Sequence, residues 1–439
     1  MSALTLAGLM ILLLFILMSI RIPIAIAMMA CGAIGYATLA NPAALLEYIS
    51  TVPVSKFSSY DLSVVPLFLL MGELTTRAGI TKELFRTCNR WVGHFKGGLA
   101  MASVAGCAAF GAICGSSLAT ASTMGKVALP EMRRHDYAGG LAAGSLAAGG
   151  TLGILIPPSL VLIIFAVLTE QNIAKMFIAA FVPGILAALG YMIAIAIYVR
   201  IYPEAGPAGE KTTWKEKLMS TKDVWHITVI FLVVLGGIYL GFFTPTEAAA
   251  VGVVMTGILA FTHGKISFRD LGECFIRTAV SSAMIFFIVL GADLFSVFIA
   301  LTQLPAAGVE LIQNSGLSPY TVLTLMLLTY LVLGCFMDSL AMILLTIPIY
   351  FPVIVGMDFG MPLADVGIWF GIIALVVVEV GLITPPVGMN VYIIQSFDPR
   401  LSIGECFRGV VPFILSDIAR VALLIIFPSI TLFLVHLLG

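Results

Sequence analysis

Gly149-Gly150-Thr151-Leu152-Gly153-Ile154-Leu155-Ile156-Pro157-Pro158-Ser159 and Gly381-Leu382-Ile383-Thr384-Pro385-Pro386-Val387-Gly388-Met389-Asn390 are the two stretches whose reading decides the fold. Each runs from a glycine through a short apolar segment to Pro-Pro and then to small polar residues. Each lies inside a segment otherwise apolar enough for one long crossing. A proline pair removes two N–H donors and crowds the preceding carbonyls, so the helix must break. Inside a bilayer the freed carbonyls need a partner. Immediately before each motif lies an apolar stretch too long for one crossing of about 20 residues. These stretches are 97–130, interrupted at Gly115-Ser116-Ser117-Leu118-Ala119-Thr120, and 319–356, interrupted at Gly334-Cys335-Phe336-Met337-Asp338-Ser339. Small and polar residues suit a tight tip buried in protein, so both stretches read as re-entrant hairpins. An ordinary helix pair with a short turn is the alternative.

Working outward, the chain has 439 residues, of which 60% are hydrophobic and 10% charged. Its mean hydropathy is +1.11. A soluble domain carries about 25% charged residues, so lipid must solvate most of this surface. The net charge of -1 points to no nucleic-acid or acidic partner. The seven cysteines form no CxxC pair, no His or Cys cluster has metal-ligand spacing, and no phosphate-binding GxxxxGK[ST] loop is present. These absences argue against a disulfide framework, a structural metal and direct ATP-driven pumping, and no enzyme is expected. No removable signal peptide is expected either, since Leu4 to Ile20 lacks a basic leader.

Further crossings are expected near 4–20, 22–40, 62–76, 138–169, 176–200, 225–242, 246–262, 277–301, 366–397 and 409–436. Basic residues cluster at Arg77 to Lys96, Arg133-Arg134, Arg200 to Lys222, Lys265 to Arg277, and Arg400 with Arg408. The loops 41–61, 302–318 and 357–365 hold only Lys56. With basic loops inside, this gives roughly ten full crossings, both termini outside, and hairpins entering from opposite faces. Arg21 reads as an inner-side anchor. The order hairpin, Pro-Pro-broken span, plain span thus occurs twice in opposite orientation. The fold class is an all-α polytopic membrane protein with inverted structural repeats. Such repeats with discontinuous helices are a recurring design of secondary transporters, with sites at the breaks.

Charges at membrane depth are costly. Asp338 at the second tip, Glu379 before the second Pro-Pro, Asp293 in 277–301 and Lys126 in the first hairpin's return arm are therefore candidates, each with a plain structural alternative. Ser116, Ser117, Thr120, Ser159 and Thr384 offer neutral oxygens near the breaks, and Asn390 can orient a tip or reach an ion. Gly139 to Ser145 allows close helix approach. Pro203 to Asp223 reads as a polar linker followed by a short amphipathic helix on the inner surface.

Several motifs together resemble the large membrane subunit (DctM-type) of tripartite ATP-independent periplasmic (TRAP) transporters, within the ion transporter superfamily. They are Gly111 to Thr123 with Lys126 to Met132, Gly150 to Ser159, Gly334 to Asp338 with Thr346-Ile347-Pro348, and Gly381 to Asn390. The resemblance covers essentially the whole chain. It implies Na+-coupled import of an organic acid across a bacterial inner membrane, with Na+ as coupling ion and no other cofactor. The partners it implies are a periplasmic solute-binding protein (DctP-type) and a small membrane subunit (DctQ-type) on a separate chain. It also implies an elevator mechanism. On this basis 97–170 and 319–397 form the mobile transport unit, while 1–96, 171–318 (with the linker 203–223) and 398–439 form the scaffold. The implied Na+ ligands are Ser116 with carbonyls around Gly381, Ile383 and Pro386, and a second set at Gly334 and Thr384. Substrate would lie near Ser117, Thr120, Asp338 and Asn390. Gly153, Pro157, Pro158, Ser159, Pro385 and Gly388 shape the breaks. Alternatives are an autonomous Na+- or H+-coupled carrier, and a channel or structural membrane subunit.

Overall fold

Hydroxyl and carboxylate caps decide where many helices of this chain begin. A computed structural model describes residues 2–262 and 266–438, all helices and connections, with no strand among the described residues; Lys265 lies outside them. In chain order the helices are α1 Ala3–Ser19, α2 Ile24–Leu39, α3 Pro42–Phe57, α4 Val64–Arg77, α5 Ile80–Val92, α6 Gly98–Cys114, α7 Ser117–Arg134, α8 Gly139–Leu155, α9 Leu160–Leu168, α10 Ile173–Ile201 and α11 Trp214–Asp223. They continue as α12 Trp225–Tyr239, α13 Pro245–Thr262, α14 Phe268–Leu301, α15 Leu304–Ser315, α16 Pro319–Gly334, α17 Ser339–Val355, α18 Leu363–Gly381, α19 Met389–Ser396, α20 Ile403–Ile426 and α21 Ser429–Leu438.

Among the described residues, five helices are long and apolar enough to cross a membrane alone, and up to eight spans result if each sharply bent pair counts as one. The two long apolar stretches are the helix pairs α6/α7 and α16/α17, each turning within a few residues. Both Pro-Pro motifs interrupt helices. α8 gives way to α9 with a 43° bend, and α18 ends at Gly381, with α19 beginning at Met389. Both Pro-Pro peptide bonds are cis.

α8 and α18 form the centre. From Val366 to Gly381 every residue of α18 is buried, and so is nearly all of α8. Around them glycines bring backbones into contact. A methyl group added at Gly409 of α20 would lie 1.9 Å from the Gly140 carbonyl oxygen of α8, and one at Gly144 would lie 2.2 Å from Gly409 O. α2 and α14 cross the same way, where a methyl at Gly32 would reach 2.9 Å from Phe295 N. With no hydrophobic effect between lipid-bathed helices, such close packing supplies much of the association.

Three connections expected as loops are helical. α3 carries no buried residue. α5 buries Ile80, Leu84 and Phe85 and leaves Lys82 and Arg86 outward. α15 precedes the second hairpin as α5 precedes the first. Both arms are entered through a left-handed residue, Gly79 (φ 70°) and Gln303 (φ 57°). The expected amphipathic helix after the linker is α11, whose Thr213–Glu216 capping box fixes its start. It packs on α5 through Trp91, which meets Trp214 edge-on and donates its indole N–H to Thr221 Oγ1 at 3.0 Å.

Candidate functional site

The two breaks and the two hairpin tips meet in one layer. In the first repeat Ser116 caps α7, accepting the Ala119 N–H at 3.4 Å, and Ser159 caps α9, accepting the Leu162 N–H at 3.4 Å. In the second, Asp338 caps α17 through the Ala341 N–H at 3.3 Å. α19 starts at Gly388, which adopts φ 60°; a side chain there would also press on the Phe407 ring at 3.0 Å. Four helix N-termini with unpaired N–H groups therefore border the layer. Each carries a partial positive charge suited to an anion.

The hairpins abut the breaks through matched glycine pairs. A methyl at Gly111 of α6 would lie 2.3 Å from Gly153 Cα, and one at Gly334 of α16 would lie 2.9 Å from Gly381 Cα. Gly153 also faces the first tip, where a methyl would meet Thr120 Oγ1 at 2.4 Å and Ser116 O at 2.8 Å. The structure thus groups Ser116 and Thr120 with the first break, and Gly334 with Gly381 in the second. The first tip also reaches the second half, because Ser117, next to Ser116, faces the Glu379 carboxyl group two residues before Gly381.

Carbonyl accounting separates the breaks. Pro157 and Pro158 cannot donate to Gly153 O and Ile154 O, and no other donor reaches these oxygens among the described residues. Pro385 and Pro386 would likewise orphan Gly381 O and Leu382 O, but Thr384 N–H and Asn390 N–H take them, each at 3.1 Å. The unclaimed oxygens of the second break, among the described residues, are those of Ile383, Thr384, Pro386 and Val387. Pro385 O accepts the Cys335 thiol of the second tip at 3.1 Å. The Thr384 hydroxyl donates to Val380 O at 2.7 Å, leaving its lone pairs free.

The two halves are joined by polar side chains. Asn390 Nδ2 donates to Ala147 O of α8 at 3.1 Å, while its Oδ1 is buried without a partner. Glu379, 1% exposed, accepts a short hydrogen bond from the Ser339 hydroxyl of the second hairpin, and Ser117 of the first hairpin faces the same carboxyl group. Thr120 Oγ1 is fully buried with no nitrogen or oxygen partner. Each hairpin also packs on the other repeat's half-helix. Gly125 of α7 sits against Ile394 and Phe397 at the end of α19, and Phe351 of α17 meets Phe165 of α9 edge-on.

Two expected intramembrane charges lie elsewhere. Asp293 of α14 is paired with Lys56 at 2.7 Å and accepts the Tyr48 hydroxyl, so it anchors α3 to α14. Lys126 is exposed on the basic face, over the Phe397 ring at 5.6 Å. A buried network went unread. Asp417 takes Arg420 Nη2 at 2.7 Å and the Tyr191 hydroxyl at 2.9 Å, and Tyr191 meets Thr151 at 3.1 Å, tying α20 and α10 to α8. Its signal was present, as an oppositely charged i, i+3 pair inside the apolar segment 409–436.

This arrangement has known counterparts. The chain matches, over residues 11–430, the family described as the DctM component of tripartite ATP-independent periplasmic transporters. It is 35% identical to the C4-dicarboxylate TRAP transporter large permease protein DctM of Pseudomonas aeruginosa, across 87% of each chain. It is 30% identical to the sialic acid TRAP transporter permease protein SiaT of Haemophilus influenzae, across 88% of this chain and 61% of that one. It is 28% identical to the ectoine TRAP transporter large permease protein TeaC of Halomonas elongata, across 95% and 96%. In fold it resembles the YdaH transporter of Alcanivorax borkumensis, with a TM-score of 0.65 at 13% identity over 89% of each chain. This multi-pass membrane protein therefore belongs to the DctM family, the large permease component of tripartite ATP-independent periplasmic transporters.

Proposed function

We propose that the chain imports an organic acid across the bacterial inner membrane by Na+ symport. Its partners would be a small DctQ-type membrane subunit and a DctP-type solute-binding protein, and both its termini would lie on the periplasmic side. The observation that carries this reading is the pair of helix breaks with unclaimed carbonyl oxygens beneath four converging helix N-termini. Unclaimed carbonyls favour a desolvated cation, and helix N-termini favour a carboxylate.

One Na+ site would form in each repeat. The first takes Ser116 and Thr120 with Gly153 O and Ile154 O. The second takes Thr384 and the oxygens of Ile383 and Pro386, braced by Gly334 against Gly381. The acid would lie between the tips near Ser117, Asp338 and Asn390, with Asp338 serving its helix and the cation rather than the carboxylate. Bound Na+ satisfies the breaks and lets the hairpins close on them. The closed unit then moves as an elevator against α1–α4 and α12–α14. The Gly140, Gly144 and Gly409 contacts and the Asp417 network bind α20 to α8, so α20 travels with the mobile unit.

The test is uptake into proteoliposomes holding this chain with both partners. The solute should be an organic acid shown to bind the solute-binding protein. Accumulation should require both the binding protein and a Na+ gradient. Uptake without the binding protein would favour an autonomous carrier. Uptake that ignores Na+ and follows a proton gradient would overturn the ion sites and move coupling to Glu379.

A further inference from the structure

A cavity of about 640 Å³ opens on the basic face, between the return arm of the first hairpin and the α19–α20 link. Lys126 and Arg133 reach it from α7, Arg400 and Asp398 from the link, and Leu129 and Phe397 supply apolar wall. Asp398 is the one carboxylate among three cations. Its Oδ2 pairs with Arg133 Nε at 2.7 Å, and its Oδ1 with Arg400 Nε at 3.0 Å. The Asp398 side chain is 6% exposed whereas that of Arg400 is 76% exposed, so the acid sits at the base and the guanidinium at the mouth. The hydrogen bond from Arg400 holds the Asp398 carboxyl below its ordinary range, which keeps it charged and committed to the arginines. Lys126 meets no carboxylate among the described residues, only the Phe397 ring. One anion cannot neutralise three cations, so two positive charges line a cavity large enough for a small ligand.

We propose that this cavity is an oxyanion site, taking a carboxylate or a phosphate group. It is separate from the helix breaks and independent of the ion-coupling reading. Lys126 acts as a point charge and Arg400 as a fork at the mouth. The two walls belong to different repeats, so an anion bound there bridges the first hairpin to the second half of the protein. Two sources supply this chemistry. One is the phosphate of an anionic phospholipid, since basic pockets on the cytoplasmic side bind such headgroups. The other is a free organic acid on the side of its release.

Native mass spectrometry of the purified chain with phosphatidylglycerol against phosphatidylcholine tests the first source. Saturation-transfer NMR with succinate tests the second. The wild-type chain should retain phosphatidylglycerol preferentially, or give a succinate signal, or both. Retention of the lipid alone assigns the site to the membrane, and succinate alone assigns it to the solute. Lys126→Gln with Arg400→Gln should weaken whichever is bound, by about fivefold per charge removed. Arg134→Gln, on the same face but outside the cavity, should not. If the double variant unfolds, Lys126→Gln alone carries the test, because Lys126 makes only the ring contact. The proposal is overturned if the wild type binds neither probe, or if the folded variant binds as the wild type does.

Discussion

Residues 156–159 of the first break are buried at every position, whereas Pro385 and Pro386 of the second stand exposed. The two regions share a sequence motif and a glycine contact, yet one is sealed and the other open. Two differences explain this. The first break spans only the residues between Leu155 and Leu160, and the second runs from Gly381 to Met389. The longer break folds back, so Thr384 and Asn390 N–H groups cover Gly381 O and Leu382 O. The shorter break cannot fold back and leaves its orphan carbonyls inside. One break is therefore enclosed and the other presents exposed prolines. This contrast can be attacked experimentally.

The largest expected effect comes from the matched glycines. Gly111→Ala drives a methyl to 2.3 Å from Gly153 Cα in the sealed repeat, while Gly334→Ala drives one to only 2.9 Å from Gly381 Cα beside the open break. Overpacking costs about 1–3 kcal/mol, more where nothing can shift. Gly111→Ala should abolish uptake and lower the melting temperature most. Gly334→Ala should keep measurable uptake, roughly tenfold down, as about 1.4 kcal/mol gives. Equal losses in parallel uptake and melting measurements would break the contrast between sealed and open.

Next is the joint between repeats. Glu379→Ala leaves the Ser339 hydroxyl, and Ser117 facing it, without the carboxyl group, at a cost of about 1–3 kcal/mol for a buried polar group. Uptake should fall about tenfold by the same arithmetic. Glu379→Gln keeps an oxygen for Ser339 and should retain most of the activity. If Gln is as damaging as Ala in the uptake assay, the carboxyl group serves through its charge or proton, and the idea of a plain joint fails.

The breaks and tips were legible in the sequence, for identifiable reasons, whereas the contrast between sealed and open was not. Pro-Pro must break a helix wherever it falls, and a capping residue such as Ser116 or Asp338 at a glycine-led interruption of a long apolar stretch marks a tip. Both are local physics. The arms α3, α5 and α15 were not legible, because a dozen residues with Lys82 and Arg86 opposite Ile80 and Leu84 read equally well as a charged loop. Gln303 carries no signal for its left-handed backbone. The Gly111–Gly153 approach was also hidden, since it depends on how two separate helices pack. Asp417 and Arg420 were readable but passed over, because their charges cancel within one turn of an apolar helix.

A smaller effect is expected at the cross-repeat bond. Asn390→Ala removes the donor to Ala147 O, worth about 1 kcal/mol. Asn390 also caps Leu382 O through its backbone, which alanine preserves. The open break should therefore keep its shape while losing its tie to α8. The half-saturating Na+ concentration should rise about fivefold with little change in melting temperature. A large fall in melting temperature without a Na+ shift would make Asn390 a packing residue only.

The last pair separates capping from charge at the tips, and its Asp338→Asn arm carries the smallest expected effect. Ser159→Ala deletes the cap of α9 inside the sealed break, where no water can replace it, and should cost about 1–2 kcal/mol. Asp338→Asn keeps a good cap, because asparagine accepts an N–H as aspartate does, but removes a negative charge from the open side. If Asp338 only starts α17, Asp338→Asn should leave melting temperature and uptake within about twofold of wild type, since the two caps are nearly equivalent. If it also steadies the cation, Na+ affinity should fall while melting temperature holds, because the lost charge interaction exists only when the ion is present. A titration of uptake against Na+ for the two variants separates these outcomes. A Na+ shift in Asp338→Asn together with none in Ser159→Ala would assign electrostatic selectivity to the open repeat and leave mechanical closure to the sealed one.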